Sequence, residues 1–418
     1  MHSPFKTAMA EVTRLTREGR LSDAMAAIRG ALSGKPGEPD PAPRETPPAS
    51  ASAAPTLDLQ PPAAPGDAWR APEAETPREE APREEAPSWT GPRPGAALGA
   101  MPEALRNLID RFAQPGGLPG LDRGLKPAPA PVPKGARFEE RVFANAAGSR
   151  TYKLYVPACY NGDPMPLVVM LHGCTQSPDD FAAGTQMNAL AEEEGFLVVY
   201  PAQAQAANAQ KCWNWFNVSD QQRDQGEPSL IAGITRAVME EFSIETGRVY
   251  VAGLSAGGAA AAIMGASYPD LYAAVGVHSG LACGAARDIP SAFAAMRQGG
   301  AHARGAGRTI PTIVFHGDGD TTVHPVNGDQ VIVQSKAQAE LNVRVDHGRS
   351  PGGVSYTRTV QTDESGHPVL EQWVLHGSGH AWSGGSSAGT YTDPRGPDAS
   401  REMLRFFRAH PKPDQTRH

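Results

Sequence analysis

The chain has 418 residues, with 38 lysines and arginines against 45 aspartates and glutamates, and its formal net charge of −7 offers no basic field for a nucleic-acid backbone. No stretch reaches the apolar length of a membrane span, and four cysteines (Cys159, Cys174, Cys212, Cys283) are too few for a disulfide scaffold and are not spaced as a zinc module. The 40 prolines are spread unevenly and are densest between roughly residues 35 and 135, where alanine and glutamate replace the large apolar side chains of a packed core.

In chain order, residues 1–34 predict a small helical hairpin. Phe5, Ala8, Met9, Val12 and Leu15 share one helical face, and Leu21, Met25, Ile28 and Leu32 share another. Glu18-Gly19-Arg20 makes the turn, Ser22 suits an N-cap, and Gly34 with Pro36 suits a stop. Two such helices bury too little to stand alone, so the hairpin is expected to self-associate or to dock on a polymer granule, a membrane surface or a partner. Lys6, Glu11, Arg14 and Arg17 interrupt any apolar run of a secretory signal, which makes cytoplasmic localisation the expectation. Residues 35–136 read as a Pro/Ala/Glu-rich disordered linker, with a near-repeat from Pro77 to Pro87 that prolines keep from becoming helical. A short helix near 102–112 interrupts it, with Pro102 at its first position.

Residues 137–412 form the predicted catalytic domain. Short apolar β-type runs alternate with helical patterns, the signature of an α/β class fold with a mostly parallel sheet and helices on both faces. RVFANAAGSRTYKLYVP reads as an opening antiparallel pair, PLVVMLHG and FLVVYPAQ as strands around one helix over DDFAAGTQMNALAEEEG, and SLIAGITRAVMEEFSIE as a long helix. RVYVAGLS, YAAVGVHSG, TIPTIVFHGD and VLEQWVLHG are further strands, GGAAAAIMGASYP is a helix after the first of them, and a last helix near ASREMLRFFRAH closes the sheet.

Gly253-Leu254-Ser255-Ala256-Gly257 fits G-x-S-x-G, in which a strand turns sharply into a helix and small neighbours let the serine protrude. The pentapeptide alone is weak; the β-branched strand before it and the small-residue helix after it give it weight. The same fold predicts an acid and then a histidine after later strands. TIVFHGDGDTTVHP supplies Asp318 and Asp320, and LEQWVLHGSGHAWSGG supplies His376 and His380. Asp320 is preferred because H-G-x-x-D lets the turn finish before the carboxylate points back to the sheet's rim, while Asp318 closes the turn. His380 is preferred for its small, loop-forming neighbours, whereas His376 still falls in the strand pattern. His316 and His324 lie too close in sequence to Asp320 to be its obvious partner.

The predicted chemistry is a two-step acyl transfer with Ser255 as nucleophile, His380 as base and Asp320 as the orienting acid. Oxyanion donors are expected from the residue after the nucleophile, Ala256, and from the loop after an early strand, at Cys174, with Gly173 allowing close approach. Trp213, Trp215 and Trp382 are candidates for apolar walls of an ester pocket, with plain core packing as the competing role. No cofactor and no metal are called for. Cys159 and Cys283 are expected as buried free thiols; Cys174 and Cys212 both fall near the site rim, and their pairing depends on the redox compartment.

Taken together, LHGCTQSPDDFAAGTQMNALAEEEGFLVVYP, CWNWF (Cys212 to Phe216), GLSAGG, HGDGDTTV and GSGHAWSGG resemble the polyhydroxybutyrate depolymerase-type esterase family over about residues 138–410. The resemblance implies an α/β-hydrolase fold and cofactor-free ester hydrolysis on poly- or oligo-3-hydroxybutyrate, on feruloyl esters or on acetylated polysaccharides. Ser383 stands where a proline is common in the family, and a charged N-terminal segment stands in place of a signal peptide. A non-catalytic binding module of the same fold is the alternative from another class, disfavoured by the three triad residue types standing in order.

Overall fold

The computed structural model describes residues 132–300 and 309–412. The hairpin expected over 1–34, the helix near 102–112 and the linker up to residue 131 lie outside the described residues.

Strands β1 (Arg137–Asn145) and β2 (Gly148–Val156) form an antiparallel hairpin, followed by β3 (Met165–Leu171), helices α1 (Pro178–Thr185) and α2 (Met187–Glu194), and β4 (Leu197–Pro201). Helix α3 (Gly226–Glu241) leads to β5 (Ile244–Leu254), α4 (Ala256–Ser267), β6 (Ala274–His278) and α5 (Ile289–Gln298). Then come β7 (Thr312–Gly317), α6 (Val326–Lys336), β8 (Asn342–Arg349), β9 (Ser355–Thr362), β10 (Pro368–Leu375), the short β11 (Trp382–Ser383) and β12 (Thr392–Asp393), and α7 (Ala399–Arg408). Ten strands make one sheet in the order β1-β2-β4-β3-β5-β6-β7-β10-β9-β8. The six from β4 to β10 run parallel to one another, and antiparallel pairs finish both edges.

The central strands are apolar on both faces because helices cover both. Along β3, Leu167, Val169 and Leu171 enter the core on one face, while Val168 and Met170 enter the core on the other. Strand β5 repeats this with Val249 and Val251 against Tyr250, Ala252 and Leu254. Sequence periodicity shows such runs well, since every residue is apolar and helices follow them. The edge pair β8 and β9 gives no such signal: Val343 and Val345 of β8 are 59% and 50% exposed, and Arg344 pairs with Asp346 at 3.2 Å.

Two sequence expectations change. The single helix expected after β3 is two, because Gln186 adopts a left-handed conformation with φ 57° and breaks it between α1 and α2. Helix α1 is started by Ser177, whose hydroxyl accepts the Asp180 amide at 3.2 Å, and by Pro178 at its first turn. Cys159 is exposed rather than buried, because it follows β2 on the turn at the sheet edge; Cys283 is half-buried, with its thiol pushed up to about 11 by desolvation.

Candidate active site

The carboxyl ends of β3, β5, β7 and β10 share one edge of the parallel run, the edge at which open α/β sheets place their chemistry. At the end of β5, Ser255 has φ 58° and ψ −119°, a costly conformation for a residue with a Cβ, and the next residue begins α4. Its amide donates to His278 O at 2.9 Å, and its carbonyl accepts from Ala259 at 2.9 Å. The turn is tight enough to exclude side chains on both flanks. A Cβ at Gly253 would stand 2.2 Å from Gly257 O, and one at Gly257 would stand 2.0 Å from Leu171 O. Both obstacles are backbone, so neither can move aside.

The loop after β3 lies against this elbow: a Cβ built at Gly173 would stand 3.6 Å from the Ser255 Cβ. Cys174 follows immediately in the chain. Ala256 is the first residue of α4, whose opening amides have no partner inside the helix. His172 anchors the loop from beneath. Its Nε2 accepts the Gln203 amide at 3.0 Å, Nδ1 faces Gly173 O at 2.8 Å, and its carbonyl accepts Trp213 Nε1 at 3.1 Å. Desolvation pulls this imidazole down to about 4, so it is neutral at pH 7. Cys174 is bonded to Cys212, joining the loop to the segment that carries Trp213 and Trp215.

Asp320 follows β7 and His380 follows β10, and the two meet with His380 Nδ1 2.7 Å from Asp320 Oδ2. The other carboxylate oxygen accepts the amides of Thr322 and Val323, each at 2.9 Å. Burial alone would raise this carboxyl; hydrogen bonds from His316 and His380, the charge of His380 and the Val323 amide hold it well below the usual carboxylate range. The two loops also grip each other: Gly319 N donates to Ser378 O at 3.1 Å, and a Cβ at Gly317 would stand 2.2 Å from that same oxygen.

Asp318 points elsewhere. Its carboxylate takes His376 Nδ1 at 2.8 Å and the Gly377 amide at 2.6 Å, an exposed pair that fastens the turn after β7 to the loop after β10. The structure thus brings Asp320 and His380 together and gives Asp318 and His376 to each other. His324 caps the start of α6, with Nδ1 3.2 Å from the Val326 amide.

The tryptophans belong to the core. Trp213 and Trp382 are 0% and 1% exposed, and both indole N–H groups are committed, to His172 O and to Ser400 Oγ. Trp382 also stacks on His278 at 5.2 Å and meets Phe181 edge-on. Trp215, 6% exposed, packs edge-on against Phe216. Of the two roles open to these rings in the sequence, packing accounts for Trp213 and Trp382 without any ester.

Sequence reasoning missed His278 and set His316 aside for lying too close in sequence to Asp320. His278, at the end of β6, takes the elbow amide on its carbonyl and accepts the Ser383 amide on Nε2 at 3.0 Å; burial first, then neighbouring His316 and His380, pull its ring down to about 3.

A family model described as Esterase PHB depolymerase matches residues 150–350. The chain is 34% identical over 242 residues to poly(3-hydroxyalkanoate) depolymerase C of Paucimonas lemoignei, covering 55% of this chain and 56% of that protein. It is 30% identical over 248 residues to feruloyl esterase B of Thermothelomyces thermophilus, covering 54% of this chain and 82% of that one. It is 30% identical over 207 residues to acetylxylan esterase A of Talaromyces purpureogenus, covering 44% of this chain and 52% of the relative. Among solved structures, acetyl xylan esterase from Aspergillus awamori superposes with a TM-score of 0.50 at 19% identity, covering 66% of this chain and 99% of that one, which shows the α/β-hydrolase fold.

Proposed function

The chain belongs to the PHB depolymerase family of esterases, carboxylic ester hydrolases, and from that premise we propose that it cleaves short 3-hydroxyalkanoate esters or oligomers through Ser255, His380 and Asp320. The observation that carries this reading is the His380–Asp320 contact of 2.7 Å on the same sheet edge as the strained Ser255 elbow.

In the proposed reaction His380 Nε2 takes the Ser255 hydroxyl proton as Oγ attacks the ester carbonyl. Asp320 holds the imidazole with its proton on Nδ1 and stabilises the imidazolium that forms. The tetrahedral oxyanion is received by the amides of Cys174 and Ala256, one on the loop after β3 and one at the start of α4. His380 then returns its proton to the leaving alcohol, leaving an acyl-serine. Water, deprotonated by the same histidine, releases the acid and restores the serine. Every proton in this sequence passes through His380, and no cofactor is required.

The hydroxyalkanoate reading is supported by the family model and by the 34% identity to a poly(3-hydroxyalkanoate) depolymerase. A feruloyl or acetyl sugar ester is the second reading, favoured by the coverage of 82% of a feruloyl esterase. Hydrolysis of p-nitrophenyl butyrate, a 3-hydroxybutyrate oligomer, amorphous poly(3-hydroxybutyrate), methyl ferulate and an acetylated xylo-oligosaccharide, with Ser255→Ala as the blank, separates them. Serine-dependent release of hydroxybutyrate is the expected result. Activity confined to ferulate or acetyl sugars would transfer the enzyme to carbohydrate esters, and turnover unchanged by Ser255→Ala would remove the triad assignment.

A further inference from the structure

We propose that His316 is a positioning residue for this chemistry, a neutral imidazole whose Nε2–H pins the Asp320 carboxylate in the orientation that serves His380. The proposal rests on the triad reading above. His316 lies on β7, four residues before Asp320, and the turn folds the carboxylate back over it. His316 Nε2 stands 2.9 Å from Val323 O and 3.5 Å from Asp320 Oδ2, with 2% and 0% of the two side chains exposed.

A ring nitrogen facing two oxygen acceptors must carry the proton, since a lone pair there would meet only lone pairs. The N–H is therefore shared between a short arm to Val323 O and a longer one to the carboxylate. The opposite nitrogen, Nδ1, is buried with no hydrogen-bond partner. Gly328 of α6 closes over it, such that a Cβ at that position would stand 3.0 Å from Nδ1. Protonating Nδ1 would bury an unpaired N–H, which burial penalises. Both nitrogens thus select one form, neutral and protonated at Nε2.

That form matters for Asp320. Its Oδ1 is fixed by the Thr322 and Val323 amides, and Oδ2 is divided between His380 and His316. A cation at 316 would compete with the imidazolium of His380 for the same negative charge; a neutral donor fixes the carboxylate and leaves that charge to His380. With the acid sealed from solvent, no water replaces the donor when the ring is removed.

The test is steady-state hydrolysis of p-nitrophenyl butyrate by the full-length chain and its His316→Leu, His316→Gln and Ser255→Ala variants, each checked for cooperative melting. His316→Leu is expected to lower kcat about 10- to 100-fold, as loss of an outer partner does elsewhere, with KM within about twofold. His316→Gln, whose amide reaches the Nε2 position, is expected to restore most of the loss. Equal loss in both variants, or wild-type kcat in His316→Leu, overturns the proposal, because a packing role would not distinguish glutamine from leucine by their N–H. If His316→Leu does not fold, His316→Gln decides alone: near wild-type kcat supports the donor and a large loss in a folded protein overturns it. Retained turnover in Ser255→Ala would instead sink the triad reading and leave the His316 result without a reaction to serve.

Discussion

Asp318 and Asp320 stand two residues apart on one turn, and each takes its own histidine. The difference in burial decides what each is worth. Asp318 and His376 each leave 42% of the side chain exposed, and such pairs contribute about 0–1 kcal/mol. Asp320 is sealed, so a neutral amide there would present a donor to His380 and favour the wrong tautomer. Asp320→Asn is therefore expected to cost about 10³- to 10⁴-fold in kcat, and Asp318→Asn no more than about fivefold, measured on p-nitrophenyl butyrate. The same carboxylate has a pH signature. Its folded pKa is depressed below the unfolded value of about 3.9, so it contributes stability above that pH and loses it as pH falls through the folded value. Urea midpoints between pH 6 and pH 3 are expected to drop more steeply in the wild type than in Asp320→Asn; parallel curves would mean that Asp320 is not held as described. The identity of the pair is legible in the sequence from chain order and turn length. The part of His316 is not, since linear proximity argues against contact and only the reversal at Gly317 to Gly319 creates it.

At the scale of elements, strands covered on both faces and their following helices announce themselves, because burial on both sides demands unbroken apolar runs such as LVVML in β3. What periodicity misses is structure made by edges and covalent links. Strands β8 and β9 extend the sheet with half-exposed residues and no apolar run, and α5 and α6 carry short, mixed faces. The tryptophan segment is a similar case: an aromatic cluster in sequence suggests a pocket wall, yet Trp213, next to the Cys174–Cys212 bond, packs inward against His172. This bond closes a loop with a sequence separation of 38, for which chain-entropy arguments give about 4 kcal/mol. Cys212→Ser is thus expected to lower the melting temperature clearly in oxidising buffer and to abolish its dependence on dithiothreitol. On the proposed reaction it should also lower kcat more than it raises KM, since the Cys174 amide proposed to receive the oxyanion would lose its covalent anchor. Unchanged kcat with lowered stability would confine the bond to a structural role.

For the molecule as a whole, every residue assigned to the proposed reaction lies between His172 and His380, while the sequence before residue 132 is rich in proline, alanine and glutamate. Removing residues 1–131 is expected to leave kcat/KM for p-nitrophenyl butyrate within about twofold, because both apolar clusters that support the sheet fall inside the remaining chain. On amorphous poly(3-hydroxybutyrate) the expectation differs. If the amphipathic segment expected over 1–34 attaches the enzyme to a granule, it raises the local concentration of ester, and a tethered site gains up to about 10²-fold without a new contact in the active site. The deletion should then weaken co-sedimentation with granules and slow hydroxybutyrate release, with the small-ester rate untouched. Equal loss on both substrates would show instead that the segment supports the fold of the catalytic part. No change on either would remove the granule-docking role expected for the segment over 1–34.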